Sequence, residues 1–143
     1  MRFEAGTQRI SQAIGLAAAV RFLGEIGMDR VAAHEAALGA QLVAGLERID
    51  GVRILGPGSA ANVERVGLAA IDTPGIHAHD LGQALDAQGI AIRVGHHCAQ
   101  PLHRRLGVTA STRASTHVAT TPDEVDTYLA ALPGAIEFFR RMA

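Results

Sequence analysis

The chain contains no lysine: all 13 of its basic residues are arginine. A mechanism that runs through a lysine Schiff base or an ammonium general base must therefore take that group from another polypeptide. Tryptophan is absent and aromatic residues make up only 3%, while alanine occurs 27 times, so slender, close-packed helices are expected. The one cysteine, Cys98, cannot form an internal disulfide, which agrees with a reducing cytoplasm. No uninterrupted apolar run reaches the length of a membrane span, and residues 1–7 lack the apolar stretch of a secretory signal. A net charge of −1 favours neither nucleic acid nor an anionic membrane as partner.

What is present points to a folded domain. At 143 residues, 48% apolar and 19% charged, the chain suits one domain with one core and is too apolar for disorder. Ala13, Leu16, Ala17, Val20 and Leu23 recur at helical spacing, and Gly24 and Gly27 mark a stop. A second helix is expected from an Asp29 N-cap, with Val31, Leu38, Leu42, Leu46 and Ile49 near one face and Asp50-Gly51 closing it. Short strands are expected at 52–55, 66–71, 90–94 and 111–118, with helices at 80–88 and 101–106 between them. Residues 66–94 thus read as a β-α-β unit. Thr121-Pro122-Asp123-Glu124 is a capping box opening a last helix that buries Val125, Leu129, Leu132, Ile136 and Phe139, with Pro133-Gly134 predicting a kink or break. Together these elements predict an α+β domain over residues 1–143, helices packed on a small mixed β-sheet. Two long helices before any strand suit a chain cut from something larger.

Chemistry concentrates in Gly95-His96-His97-Cys98-Ala99-Gln100-Pro101. A free thiol is mostly protonated at neutral pH, and three features near Cys98 favour or shuttle toward its anion: His96 and His97, Arg93, and the helix entered at Pro101. An isolated cysteine is often just a small buried apolar residue, but this one has polar neighbours in a loop. Arg113 lies among small residues in Ser111-Thr112-Arg113-Ala114-Ser115, leaving room for a bidentate carboxylate, although an exposed strand arginine reads the same way. His77, His79, His96, His97, Cys98 and His103 have the softness zinc prefers, yet no Cys-x-x-Cys or His-x-x-x-His unit occurs and no metal is expected. Each of these histidines reads equally as a solvated loop residue or a helix cap. Gly6-Thr7 offers an N–H and a hydroxyl to one phosphate oxygen, without the glycine spacing of a P-loop.

Three segments, Arg2-Phe3-Glu4-Ala5-Gly6-Thr7, Arg93-Val94-Gly95-His96-His97-Cys98-Ala99-Gln100-Pro101 and Arg113-Ala114-Ser115, carry a family resemblance in this order and spacing. The chain resembles the C-terminal part of group II cysteine desulfurases, the SufS-like, NifS-related and selenocysteine-lyase-like branch of the class V aminotransferase fold. The resemblance covers essentially the whole chain but only the last third of such an enzyme. It implies the C-terminal domain of a fold-type I enzyme that uses pyridoxal phosphate, held on a lysine of a large domain not contained here. In such an enzyme L-cysteine becomes alanine while a loop cysteine takes the sulfur as a persulfide, destined for iron-sulfur clusters or other sulfur pathways.

Carried over residue by residue, Cys98 resembles the persulfide-forming nucleophile and Arg113 the clamp on the substrate carboxylate. Thr7, with Gly6, resembles the hydroxyl that reaches the cofactor phosphate across a dimer interface. Arg93, His96 and His97 resemble loop residues near the substrate. The resemblance further implies a homodimer, cysteine or selenocysteine as substrate, a SufE-like or SufU-like sulfur acceptor, and a cytoplasmic setting. Without lysine the chain is expected to bind no cofactor and to be inactive alone. Gln8 stands where the family often has proline. The alternative is a freestanding module that carries persulfide or docks on a partner without cofactor chemistry.

Overall fold

Alanine and leucine are among the best helix formers, and the first alanine-rich stretch builds α1, Ile10–Ile26. Gly27 ends it at a φ of +94°, its N–H donating to the Leu23 carbonyl 3.0 Å away. The computed structural model describes residues 3, 5–61, 63 and 65–142. The chain divides into two compact units, Met1–Ala33 and His34–Ala143. The first comprises α1 and the opening turns of α2, Met28–Leu46. The expected inward face of α1 is not buried: no residue of this helix is, and Leu16 and Val20 remain 67% and 62% exposed. No single helix among the described residues is long and apolar enough to cross a membrane; only α1 and α2 taken together across the Gly27 break reach that length.

α2 starts one residue before Asp29, so the aspartate sits in the first turn rather than at the cap. It closes at Leu46, short of Asp50-Gly51; residues 47–51 form turns, and Gly51 takes a φ of +81°. The second unit continues with β1 (Arg53–Ile54), a single 3-10 turn at Ser59–Ala61, β2 (Leu68–Asp72), α3 (Ala78–Asp86) and β3 (Arg93–Gly95). α4 (Gln100–Leu106), β4 (Ser111–Ser115) and α5 (Pro122–Met142) complete it.

The four strands lie in the order β1-β2-β4-β3, every neighbouring pair antiparallel. The α+β class stands, but the sheet is antiparallel rather than mixed. β2 and β3 are both antiparallel to β4 and therefore run parallel to each other with β4 between them, which splits the expected β-α-β unit. Strands are also shorter than the apolar runs suggest. β3 begins only at Arg93 because residues 90–92 make no ladder, and β4 stops at Ser115, after which the Thr116 N–H donates to the Gly67 carbonyl.

Directly paired residues share a face of a sheet, and neighbours along a strand alternate. One face therefore carries Ile54, Ala69, Ile71, Thr112 and Ala114. It packs on Leu38, Leu42 and Leu46 of α2, Leu81 and Leu85 of α3, and Val125, Leu132 and Ile136 of α5. Tyr128 is buried in this core, while Leu129 and Phe139, expected to be buried, are only half-buried, and burial pushes the Tyr128 phenol well above the ordinary range. α5 is opened by the capping box: the Glu124 carboxylate accepts from the Thr121 N–H at 2.7 Å, and the Thr121 hydroxyl accepts from the Glu124 N–H at 3.3 Å. The helix runs unbroken through Pro133. Proline removes one backbone bond there, but Pro133 itself is exposed and the buried Leu132 and Ile136 anchor the turns on either side.

Candidate active site

The opposite sheet face carries the polar residues. Arg93 pairs directly with Arg113, and Gly95 pairs with Ser111 two positions along. Both guanidinium groups and the Ser111 hydroxyl are thereby placed on the face turned away from the core. Two like charges directly opposed across an antiparallel pair repel. The ion pairs among the described residues join Arg53 to Asp72 and Arg141 to Glu137, so neither Arg93 nor Arg113 has a carboxylate partner there. The Arg113 Nε is buried and lacks a hydrogen-bond partner among the described residues. A fork of donors with no acceptor is the arrangement a planar carboxylate ligand satisfies.

The loop after β3 lies beside this fork. Gly95 takes a φ of +111°, and His97 and Cys98 follow at +51° and +59°. The Ala99 N–H donates back to the His96 carbonyl at 2.8 Å, so His97 and Cys98 are the two central residues of a turn with positive φ at both. Glycine or asparagine normally occupies such positions, and each side chain forced into them costs roughly 1–3 kcal/mol. The strain leaves the Cys98 side chain exposed rather than packed in the core. His96 is exposed as well, with its ring edge-on to His103 at 5.7 Å between centroids.

His97 is half-buried, and its Nε2 lies 3.1 Å from the Ser111 hydroxyl. The same hydroxyl is 2.9 Å from Nε2 of His103, whose Nδ1 lies 3.0 Å from the Ala99 carbonyl. Burial, the Arg113 guanidinium, and then His103 and Arg93 hold the His97 imidazole below its ordinary range, so it favours the neutral ring. His97 Nδ1 is buried with no hydrogen-bond partner among the described residues.

The structure thus brings together Arg93, Arg113, His97 and, through the shared turn, His96 and Cys98. Gly6 and Thr7 belong to the first unit; both are exposed, and Gly6 has a φ of +87°. Arg2 and Glu4 of the same motif lie outside the described residues. His77 is a helix cap, its Nδ1 accepting from the His79 N–H, and no group of three metal-ligating side chains occurs among the described residues. Ser111 and His103 are further neighbours of His97 in this site; the sequence offered His103 only as a candidate zinc ligand, loop residue or helix cap, and Ser111 only as part of the strand that carries Arg113. The one signal for Ser111 was its i, i+2 spacing from Arg113 on a strand. A half-open cleft of about 400 Å3, lined by residues that include Ile90, His117 and Tyr128, contains none of Arg93, His97, Cys98 or Arg113.

A pyridoxal phosphate site needs a lysine, an anchor for the phosphate and a wall for the ring. These residues do not fit the whole group: lysine is missing, and Gly6 with Thr7 can supply no more than a phosphate contact.

Residues 1–128 match the aminotransferase class-V family. The chain is 55% identical over 140 residues to a probable cysteine desulfurase 2 of Mycobacterium leprae, covering 98% of this chain and 33% of that protein. It is 48% identical over 139 residues to a probable cysteine desulfurase of Streptomyces coelicolor, covering 96% and 32%. Among solved structures, the apo cysteine desulfurase of Thermococcus onnurineus superposes with a TM-score of 0.86 at 37% identity, covering 96% of this chain and 34% of that one. The cysteine desulfurase CsdA of Escherichia coli, in its S-sulfonic acid form, gives 0.83 at 32% identity, covering 96% and 33%. The chain spans about a third of the length of the relatives it matches.

Proposed function

Because the chain belongs to the class-V aminotransferase family, we propose that it is the carboxylate-clamping and sulfur-accepting part of a group II cysteine desulfurase. The observation that carries this reading is an exposed, strained Cys98 next in the turn to His97, on which both guanidinium groups act, while neither guanidinium has a carboxylate partner among the described residues. In the complete enzyme pyridoxal phosphate supplies the electron sink, from a part of the protein that has the lysine.

On this reading Arg113, with Arg93 opposite, holds the α-carboxylate of L-cysteine by bidentate hydrogen bonds and fixes the direction of its side chain. The Cys98 sulfur, as thiolate, attacks the substrate sulfur. An S–S bond forms as the substrate C–S bond breaks, and the bond pair stays with the substrate carbon, which a proton converts to alanine. Cys98 then carries a persulfide on a turn open to an acceptor protein, of the SufE-like or SufU-like kind, in cytoplasmic sulfur delivery. Thr7 and Gly6 contribute a phosphate contact in a dimer. Selenocysteine fits the same scheme, with selenium as the atom that the Cys98 thiolate attacks.

Joined to the remaining two-thirds of the Mycobacterium leprae relative, the chain is expected to release alanine from cysteine and to show a sulfur adduct at Cys98 by mass spectrometry. Cys98→Ala should abolish the adduct and the transfer while leaving the fold intact. Undiminished sulfur transfer by that variant would exclude the assignment. A persulfide-carrying module without cofactor chemistry is the outcome if the isolated chain takes sulfur at Cys98 from a polysulfide donor while the joined protein makes no alanine.

A further inference from the structure

Four groups link α4 to the arginine fork in one line: the Ala99 carbonyl, His103, Ser111 and His97. The Ala99 carbonyl can only accept, so the His103 Nδ1 that lies 3.0 Å from it carries the hydrogen. A neutral ring has one N–H, so His103 Nε2 is then a bare lone pair. Ser111 Oγ, 2.9 Å away, must give its single proton to that lone pair. Having donated, the Ser111 oxygen is left with acceptor capacity only, and the His97 Nε2 at 3.1 Å must be the donor to it. At a pH where both rings are neutral, this is the one assignment that satisfies all three bonds. Its consequence is that His97 Nδ1 is bare.

Among the described residues His97 Nδ1 and Arg113 Nε are two buried polar atoms of the site without a hydrogen-bond partner, one a lone pair in this assignment and the other an N–H. Arg113 is also the strongest charge acting on His97, ahead of His103 and Arg93. Ser111 is 1% exposed and His103 5% exposed, so water has little access to scramble the order of protons between them.

We propose that His103 and Ser111 are positioning residues which lock His97 with its proton on Nε2, so that the bare, buried Nδ1 is the one lone pair this ring offers to the site. A neutral ring adds no third positive charge to a site that already holds the Arg93 and Arg113 guanidinium groups. The proton order stands on this chain's geometry alone; its use in holding a substrate rests on the desulfurase reading.

Ring nitrogen-15 NMR of the uniformly labelled 143-residue chain tests it, with neither cofactor nor cysteine present. At a pH where both rings are neutral, His103 is expected as the Nδ1–H tautomer and His97 as the Nε2–H tautomer. Finding either ring in the opposite form overturns the proposal, and this measurement needs no variant. In Ser111→Ala the two His97 ring-nitrogen shifts are expected to move toward each other as the second tautomer appears, and Ser111→Thr should restore their separation. Unchanged His97 shifts in a folded Ser111→Ala protein also overturn it. Correct tautomers in a protein that makes no alanine when joined to its missing two-thirds would remove the desulfurase reading and leave the proton order standing. Desulfuration with scrambled tautomers would do the reverse.

Discussion

Arg93 and Arg113 oppose each other at one rung of the sheet, so the site holds a repulsion that a carboxylate ligand relieves. A like-charged cross-strand pair costs roughly 0.2–1 kcal/mol. Arg93→Gln should therefore raise the urea midpoint of the isolated chain slightly, and high salt should erase that difference. In the joined enzyme the same change should raise KM for cysteine. Arg113→Lys keeps the charge and loses the fork; losing one charged hydrogen bond costs about 1.5–3 kcal/mol, or roughly tenfold to a hundredfold in kcat/KM. Equal kcat/KM in the lysine variant would separate Arg113 from the carboxylate. His97 carries a pH signature of its own. Its folded pKa lies below the ordinary 6.5, so between that lowered value and about 6.5 the unfolded chain binds more protons than the folded one. Stability then rises with pH through this window and is lost as pH falls through it; His97→Gln should flatten that part of a urea-midpoint profile. Cys98, Arg113 and Arg93 could be read from type and spacing. The meeting of Ser111 with His103 and His97 could not, because it depends on how α4 sits over β4, and no local pattern encodes that.

Among the elements, boundaries set by local chemistry were legible and those set by pairing were not. The Thr121–Glu124 box starts α5 where its hydrogen bonds demand, and the spacing of Leu81 and Leu85 anticipates the buried side of α3. The order β1-β2-β4-β3 is a long-range choice: residues 90–92 have the composition of a strand yet find no partner edge. Two glycines show the same division. Replacing a helical glycine by alanine ordinarily stabilises by about 0.4–1 kcal/mol. Gly134→Ala in α5 should do so, since a Cβ there meets nothing within 4 Å. Gly39→Ala in α2 should have the opposite sign, because its Cβ would stand 2.8 Å from the backbone oxygen of Val66. Thermal unfolding of both variants tests the pair. Stabilisation at Gly39 would mean that α2 does not approach the segment before β2 as closely as described.

At the scale of the whole molecule, α1 is the element out of balance. Its apolar residues Ile10, Ile14, Leu16, Val20 and Phe22 spread over about two-thirds of the helix circumference at 100° per residue, and all are exposed. An apolar surface that wide is built for burial. The relatives are about three times as long as this chain, so the natural cover for α1 on the desulfurase reading is the large domain. Burying two aliphatic side chains contributes at least about 3 kcal/mol, and losing them should weaken docking a hundredfold or more. Leu16→Glu combined with Val20→Glu should therefore abolish capture of this chain by the separately expressed two-thirds of the Mycobacterium leprae relative. The urea midpoint of the isolated chain should not fall, since neither side chain is buried in it. Undiminished capture by the double variant would place the large domain elsewhere. A fallen midpoint would mean that α1 already has a partner within this chain.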